Sequence, residues 1–371
     1  MAEAVRGGGE HGGLGEQSRR PQHSPRRTGR ELEEQVVALR QEYGWGAKKL
    51  QVLLAEQGQA VPVRTIHRLL ERRGLIGEEA TQAAAVERFE RQAPNELWQM
   101  DGKGEYRVRD GTCYPLSILD DHSRYAVGLY ALEAFTAEAV AGWLVETFER
   151  SGVPEAMLMD HGAQWWSSAN GYGLTWLGVW LIEQGVHLHF GRVRHPQTQG
   201  KVERFHRTLA EALEHEGRPQ TLAEWGPALE RFQRVYNQQR PHEALGMQRP
   251  AQRYRPSSRP YQAQPPEWDY PVGSEVKRLN SQGCLDYRGR RWFVCEALAR
   301  QRVRVEHLEG KLLVSYRHMY VREIEPAAGI SRPVVFARER RAEAADRGGA
   351  LRSPSGLPAG PTPKENPGRQ V

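Results

Sequence analysis

The sequence predicts a multidomain α/β protein, and three observations carry that reading. Apolar residues from Glu31 to Arg73 recur with helical spacing. The middle of the chain alternates short apolar runs with longer helical stretches, the order expected of an α/β unit. Between residues 272 and 325, short alternating apolar runs are separated by turn residues, which predicts a small all-β unit.

Residues 1–29 are rich in Gly, Arg, Ser and Pro and lack the apolar content to offset chain entropy, so they predict a disordered basic tail. Residues 30–78 predict three short helices. Leu32, Val36 and Leu39 make one stripe, Gly44-Trp45-Gly46 interrupts, and Leu50, Leu53 and Leu54 continue. Pro62 then opens a third helix that Gly74 closes. Three helices with tight turns fit a helix-turn-helix, whose last helix enters the major groove of DNA. On that helix Arg64, Arg68 and Arg72 recur every four residues and form a basic face for DNA, while Ile66, Leu69 and Leu70 turn inward. The plainer alternative is a solvated basic face beside Glu71.

Residues 79–95 predict a linker, helical from Glu78 to Asn95. The unit at 96–254 opens with an extended run to Val108, a partner strand over Cys113–Leu119 and a third strand over Tyr125–Ala131. A helix over Ala137–Arg150 leads to a short strand ending at Asp160. Next come a helix over Leu174–Gln184, a strand over Val186–Phe190 and a helix carrying Glu203. Residues 255–271 are rich in Pro and Tyr without periodicity and predict a second linker. The β unit spans 272–326, and residues 327–371 predict a second disordered tail.

Three acids stand out. Asp101 ends the apolar run Leu97-Trp98-Gln99-Met100, Asp160 ends Ala156-Met157-Leu158-Met159, and Glu203 lies just inside a helix entered from a Pro/Gly loop. Magnesium takes oxygen ligands and is usually held by one or two carboxylates plus substrate phosphate. Two such ions about 3.5 to 4 Å apart can activate an attacking oxygen and stabilise the leaving one in phosphoryl displacement. Any single Asp before Gly is more often a turn former. Arg192, Arg194, His195, Lys201, Arg204 and Arg207 crowd the Glu203 segment, as phosphate binding requires, although basic residues beside a Glu can also form a surface salt-bridge network. Asp120 and Asp121 precede Ser123-Arg124 where a hairpin turns, and Asn237, Arg240 and His242 close a helix at Pro241. Both groups read as structural.

Five words over about 150 residues carry a resemblance. They are Trp98-Gln99-Met100-Asp101, Leu119-Asp120-Asp121-His122-Ser123-Arg124, Met159-Asp160-His161-Gly162, His195-Pro196-Gln197-Thr198-Gln199-Gly200-Lys201-Val202-Glu203-Arg204 and Tyr236-Asn237-Gln238-Gln239-Arg240-Pro241-His242-Glu243-Ala244-Leu245. The stretch from Trp98 to about Pro250 resembles the integrase catalytic core of bacterial insertion-sequence transposases, the DDE group related to retroviral integrases. The resemblance implies an RNase-H-like fold and makes Asp101, Asp160 and Glu203 the catalytic triad and the ligands of two Mg²⁺ or Mn²⁺ ions. It also implies a terminal-repeat reader at 30–78 and an SH3-like barrel after the core. The implied activity is a DNA transposase that cuts at element ends and joins the freed 3′-hydroxyls to target DNA. A homo-multimer on paired ends would do this without a nucleotide cofactor. The alternatives are a catalytically silent, transposase-derived DNA-binding protein or repressor, and a stand-alone nuclease of the same fold. Two departures are visible: His161 stands where the family has Asn, a possible modulator that titrates near neutral pH, and 42 residues separate Asp160 from Glu203, more than is usual.

Composition bounds the rest. The chain has 371 residues, enough for two or three domains. A mean hydropathy of -0.70 and the lack of any long apolar run predict a protein outside the membrane, in the cytoplasm at the nucleoid. Cys113, Cys284 and Cys295 form no metal-binding pair. Residues 1–30 and 331–371 together carry an excess of seven positive charges against a net charge of +6, so the body is near neutral and only local clusters can argue for DNA binding. One such excess, eleven basic against seven acidic residues, falls in the β unit.

Overall fold

The computed structural model describes residues 28–76, 90–160, 162, 164, 166–167, 173–190 and 200–334. The chain divides into two compact units, residues 1–82 and 83–371. In the first, α1 (Arg30–Tyr43), α2 (Ala47–Glu56) and α3 (Val63–Arg72) enclose Val36, Leu50, Leu54, Ile66, Leu69 and Leu70. Gly44 ends α1 in the left-handed region at φ 66, and its N–H donates to the Arg40 carbonyl, which turns the chain towards α2. Glu33 is buried and pairs with Arg73 at 2.9 Å, so the end of α3 is fastened back onto α1.

The second unit begins irregularly. Residues 90–97 are bends and turns, where a helix was expected as far as Asn95. Asn95 takes φ 68 after Pro94, and the N–H groups of Arg91 and Asn95 donate to the Asp121 and Asp120 carboxylates instead of to a helix ladder. The strands β1 (Trp98–Gly102), β2 (Tyr106–Val108), β3 (Gly111–Asp120) and β4 (Ala126–Leu132) follow. Helix α4 (Ala137–Ser151) leads to β5 (Ala156–Met159), a small ribbon of β6 (Trp166–Ser167) with β7 (Gly173–Leu174), then α5 (Trp176–Glu183) and β8 (His187–Phe190). The chain continues through α6 (Gly200–Glu216), α7 (Leu222–Gln238) and α8 (Pro250–Arg253).

In the main sheet β4, β3 and β1 pair antiparallel, whereas β5 pairs parallel with β1 and β8 parallel with β5. Parallel neighbours need crossover helices, and α4 and α5 supply them. Side chains alternate across the sheet. Trp98, Met100, Leu116, Ile118, Met157 and Met159 face the cluster containing Leu144 and Phe148 of α4 and Leu177 and Leu181 of α5. The opposite face meets α6 and α7 through Val202, Phe205, Leu209, Trp225, Leu229 and Phe232. This three-layer arrangement, three antiparallel strands followed by two parallel ones, is the RNase-H-like α/β core that the sequence resemblance implied.

Residues 255–271, expected to be a plain linker, instead form a strap bonded to the core. Ser257 and Arg259 exchange backbone bonds with Ser151 and Val153, and the Arg259 guanidinium donates to the carbonyls of Pro154, Gln184 and Gly185. Gly152 has φ 71 and lies so close that an added Cβ would stand 2.5 Å from the Ser257 carbonyl oxygen. These bonds depend on tertiary placement, which local periodicity does not encode.

Beyond the strap, β9 (Glu275–Arg278), β10 (Cys284–Tyr287), β11 (Arg290–Phe293), β12 (Arg302–Leu308), β13 (Lys311–Tyr316), β14 (Met319–Glu325) and β15 (Ile330–Pro333) complete the unit. They form a five-stranded sheet in the order β15-β14-β13-β12-β9 and a separate β10-β11 hairpin. Strand β15 corrects the expected domain boundary at 326. It pairs along β14, Ser331 donates to the Phe293 carbonyl, and Arg332 bridges Glu323 and Glu325. This unit packs on the core: Tyr316 donates to Glu183 at 2.7 Å, and the Cys295 thiol donates to the Leu174 carbonyl.

Candidate metal centre

Asp101 and Asp160 are brought level by strand register. Trp98 and Gln99 pair with Met157 and Leu158 on the parallel strands β1 and β5, and two further residues along each strand reach Asp101 and Asp160. Both therefore sit at the carboxyl ends of adjacent strands. Both also occupy the alternation phase opposite to Met100 and Met159, the face covered by α6 and α7. Helix α6 packs against β1 with Val202 and Phe205 inward, and exposes Glu203 in its first turn, where the helix dipole favours a carboxylate.

The electrostatics record this convergence. Burial first, then the neighbouring Asp160 charge and more weakly Glu203, push the Asp101 carboxyl up from 3.8 to about 7, against an opposing bond from the Gly102 N–H. A cation between the strand ends would relieve that repulsion. Among the described residues, no three His, Cys, Asp or Glu side chains stand close enough to share one ion. Asp101 and Asp160 together offer the oxygen donors that a hard divalent ion takes when water and phosphate fill its remaining positions.

His206, one turn after Glu203 and two residues beyond the motif that ends at Arg204, was passed over in the sequence. Its Nε2 is 3.0 Å from the Ser117 hydroxyl, and Ser117 is the cross-strand partner of Asp101. Its Nδ1 lies 3.7 Å from Asp101 Oδ2, too far for a hydrogen bond. Burial and the nearby Lys103 charge hold its pKa down at about 3, so this contact is no ion pair in the neutral range. The spacing of three residues from Glu203 was the available signal, since it puts both side chains on adjoining parts of one helix.

The remaining expected residues separate into groups. Arg204 and Arg207 are exposed on α6, and Arg64, Arg68 and Arg72 are exposed on α3 of the first unit. Lys201, expected at a phosphate, instead pairs with the fully buried Asp121 at 2.6 Å. Asp120 and Asp121 are structural, as read from the sequence: Asp120 accepts from the Asn95 and Ser123 N–H groups and the Ser123 hydroxyl, which fixes the β3–β4 turn. Asn237 bonds both backbone groups of Ala126 and so pins α7 to β4. His161, Arg192, Arg194 and His195 lie outside the described residues.

Fold and carboxylates together define an α/β core that gathers acids at the carboxyl ends of parallel strands. Integrase core domain family profiles match residues 91–196 and 184–250. Residues 91–250 thus match the integrase core domain family. An insertion element IS407 uncharacterized 31.7 kDa protein of Burkholderia multivorans is 25% identical over 213 residues, which cover 56% of this chain and 74% of that protein. Among solved structures, the magnesium complex of the HTLV-2 integrase catalytic core in its dimeric form is 14% identical with a TM-score of 0.34, covering 44% of this chain and 97% of that one. The simian T-cell lymphotropic virus intasome with the PP2A subunit B56 gamma is 12% identical with a TM-score of 0.40, covering 80% and 98%. The BIV integrase core is 23% identical with a TM-score of 0.33, covering 43% and 92%. Among the described residues, no helix is long and apolar enough to cross a membrane.

Proposed function

We propose that this chain is a transposase that cuts and joins DNA at the ends of an insertion element, with Asp101, Asp160 and Glu203 as its metal ligands. The observation that carries this reading is the level placement of Asp101 and Asp160 on neighbouring parallel strands beneath the helix of Glu203, with the Asp101 carboxyl pushed up to about 7. Magnesium or manganese ions held there supply activation of the attacking oxygen and stabilisation of the leaving one. In the first step a water oxygen bonds to phosphorus, the bond to the 3′-oxygen breaks, and that oxygen takes a proton as the free 3′-hydroxyl. In the second step the 3′-hydroxyl attacks a target phosphorus and displaces its 3′-oxygen.

The chain's own residues orient the DNA for these steps. Arg204 and Arg207 lie exposed on the Glu203 helix, and together with Arg192, Arg194 and His195 they would hold phosphates near the reacting bond. We read α1–α3 as a helix-turn-helix whose Arg64, Arg68 and Arg72 engage terminal-repeat DNA, and the C-terminal strands as a small SH3-like barrel. Joining two ends calls for a multimer of this chain on the DNA. The test is incubation of the purified protein and Mg²⁺ with duplexes from the DNA flanking its gene, followed by mapping of nicks. Nicks at discrete repeat boundaries are expected; binding without any nick would favour a silent repressor and overturn the reading.

A further inference from the structure

We infer that Asp121 and Lys201 form a clamp that positions the two metal-site elements, by tying the strand of Asp101 and the helix of Glu203 to one buried carboxylate. The inference rests on the reading of Asp101, Asp160 and Glu203 as a divalent-ion site. Asp121 has 0% exposure, and its three partners come from three segments. Oδ1 accepts from the Gln99 side-chain amide at 2.7 Å and meets the Lys201 ammonium at 2.6 Å, while Oδ2 accepts from the Arg91 N–H at 2.8 Å. Lys201 also donates to the Asp121 carbonyl at 3.2 Å.

The placement of these partners is what matters. Gln99 precedes Asp101 by two residues on β1 and therefore shares its face. Lys201 precedes Glu203 by two residues in the first turn of α6. One carboxylate thus fixes both elements within a single residue pair of each ligand. The first turn of a helix has unsatisfied N–H groups and frays unless it is tied down. A lysine there opposes the helix dipole, so it does not stabilise the helix by itself. Its side chain is only 18% exposed, in contrast to the exposed Arg204 and Arg207, which suits a tether better than a phosphate contact. The clamp also gives the Leu119–Arg124 motif a role that turn formation alone does not.

The test uses the full chain and four proteins: wild type, Lys201→Met, Asp121→Asn and the double variant. Mn²⁺ affinity is measured by paramagnetic titration without DNA, and amide exchange is followed at residues 200–205. Each single variant should weaken Mn²⁺ binding about tenfold, the scale for groups that orient metal ligands, and speed exchange in the first turn of α6. The double variant should be no worse than the poorer single one, since both changes break the same pair. Salt dependence of binding to the flanking duplex should stay as in wild type. The clamp is overturned if exchange at 200–205 is unchanged, or if the single effects add. It is also overturned if Lys201→Met lowers the salt slope by about one, which would make Lys201 a phosphate ligand. A wild type that binds no Mn²⁺ would sink the metal-site reading, and exchange at 200–205 would then decide the clamp alone. If a single variant unfolds, the double variant, with both buried charges removed, must show faster exchange at 200–205 with β3 still protected; protection at 200–205 refutes the clamp.

Discussion

Replacing Asp101 with Asn should stabilise the metal-free protein while abolishing its chemistry, and the stabilisation should depend on pH in a defined direction. Burial and the Asp160 charge raise the Asp101 carboxyl from 3.8 to about 7, so folding favours its protonated form. Its contribution to stability is fully present below 3.8 and is lost as pH rises to about 7. At 1.36 kcal/mol for each pH unit, the ionised carboxylate costs the folded state about 4 kcal/mol above neutrality. The neutral amide avoids that cost. Asp101→Asn should therefore exceed wild type by up to about 4 kcal/mol near pH 8, falling to about 2 kcal/mol near pH 5, where most wild-type molecules carry the proton. Thermal unfolding with chelator present at both pH values measures the difference, and subtracting one variant from the other cancels the remaining titrating groups. Excess Mg²⁺ should narrow the gap by stabilising wild type alone. An Asn variant no more stable than wild type near pH 8, or an advantage equal at both pH values, would refute the reasoning.

Further changes test other parts of the account. His206→Ala should destabilise the core by about 2 to 3 kcal/mol, because it empties a buried site and strands the Ser117 hydroxyl, and denaturant titration measures this. Asn237→Ala should cost about 2 to 3 kcal/mol in the same assay by removing both bonds to Ala126. In the full chain, Arg64→Ala with Arg68→Ala should weaken binding to flanking duplexes and flatten its salt dependence, without altering the melting of the core. Unchanged binding in a titration across salt concentrations would remove α3 from DNA contact.

The parts of the fold legible in the sequence were those governed by local pattern. The apolar runs ahead of Asp101 and Asp160 showed two strands ending in acids, and the structure has both strands with their phases aligned. The three helices of the first unit followed from apolar spacing and from Pro62, Gly44 and Gly74. What escaped depends on distant partners. Lys201 reads as one more cation near a phosphate site until the fold brings Asp121 to it across 80 positions. The strap at 255–271 lacks periodicity because its order comes from bonds to α4 and α5, and β15 is held by pairing along β14. His206 was hidden by the plain fact that a helical His beside apolar residues is usually buried structure, and here it is both buried and a neighbour of Asp101.

Strand joining with a pre-cut substrate tests the central claim most directly. A duplex from the element end, already bearing its free 3′-hydroxyl, is incubated with target DNA, Mg²⁺ and wild type, Asp101→Asn, Asp160→Asn or Glu203→Gln. Joined products should form with wild type and disappear with each variant and with chelator, while binding to the duplex persists in all four proteins. Joining that survives in any one variant would remove that carboxylate from the site, and joining that survives chelation would contradict the metal-dependent account altogether.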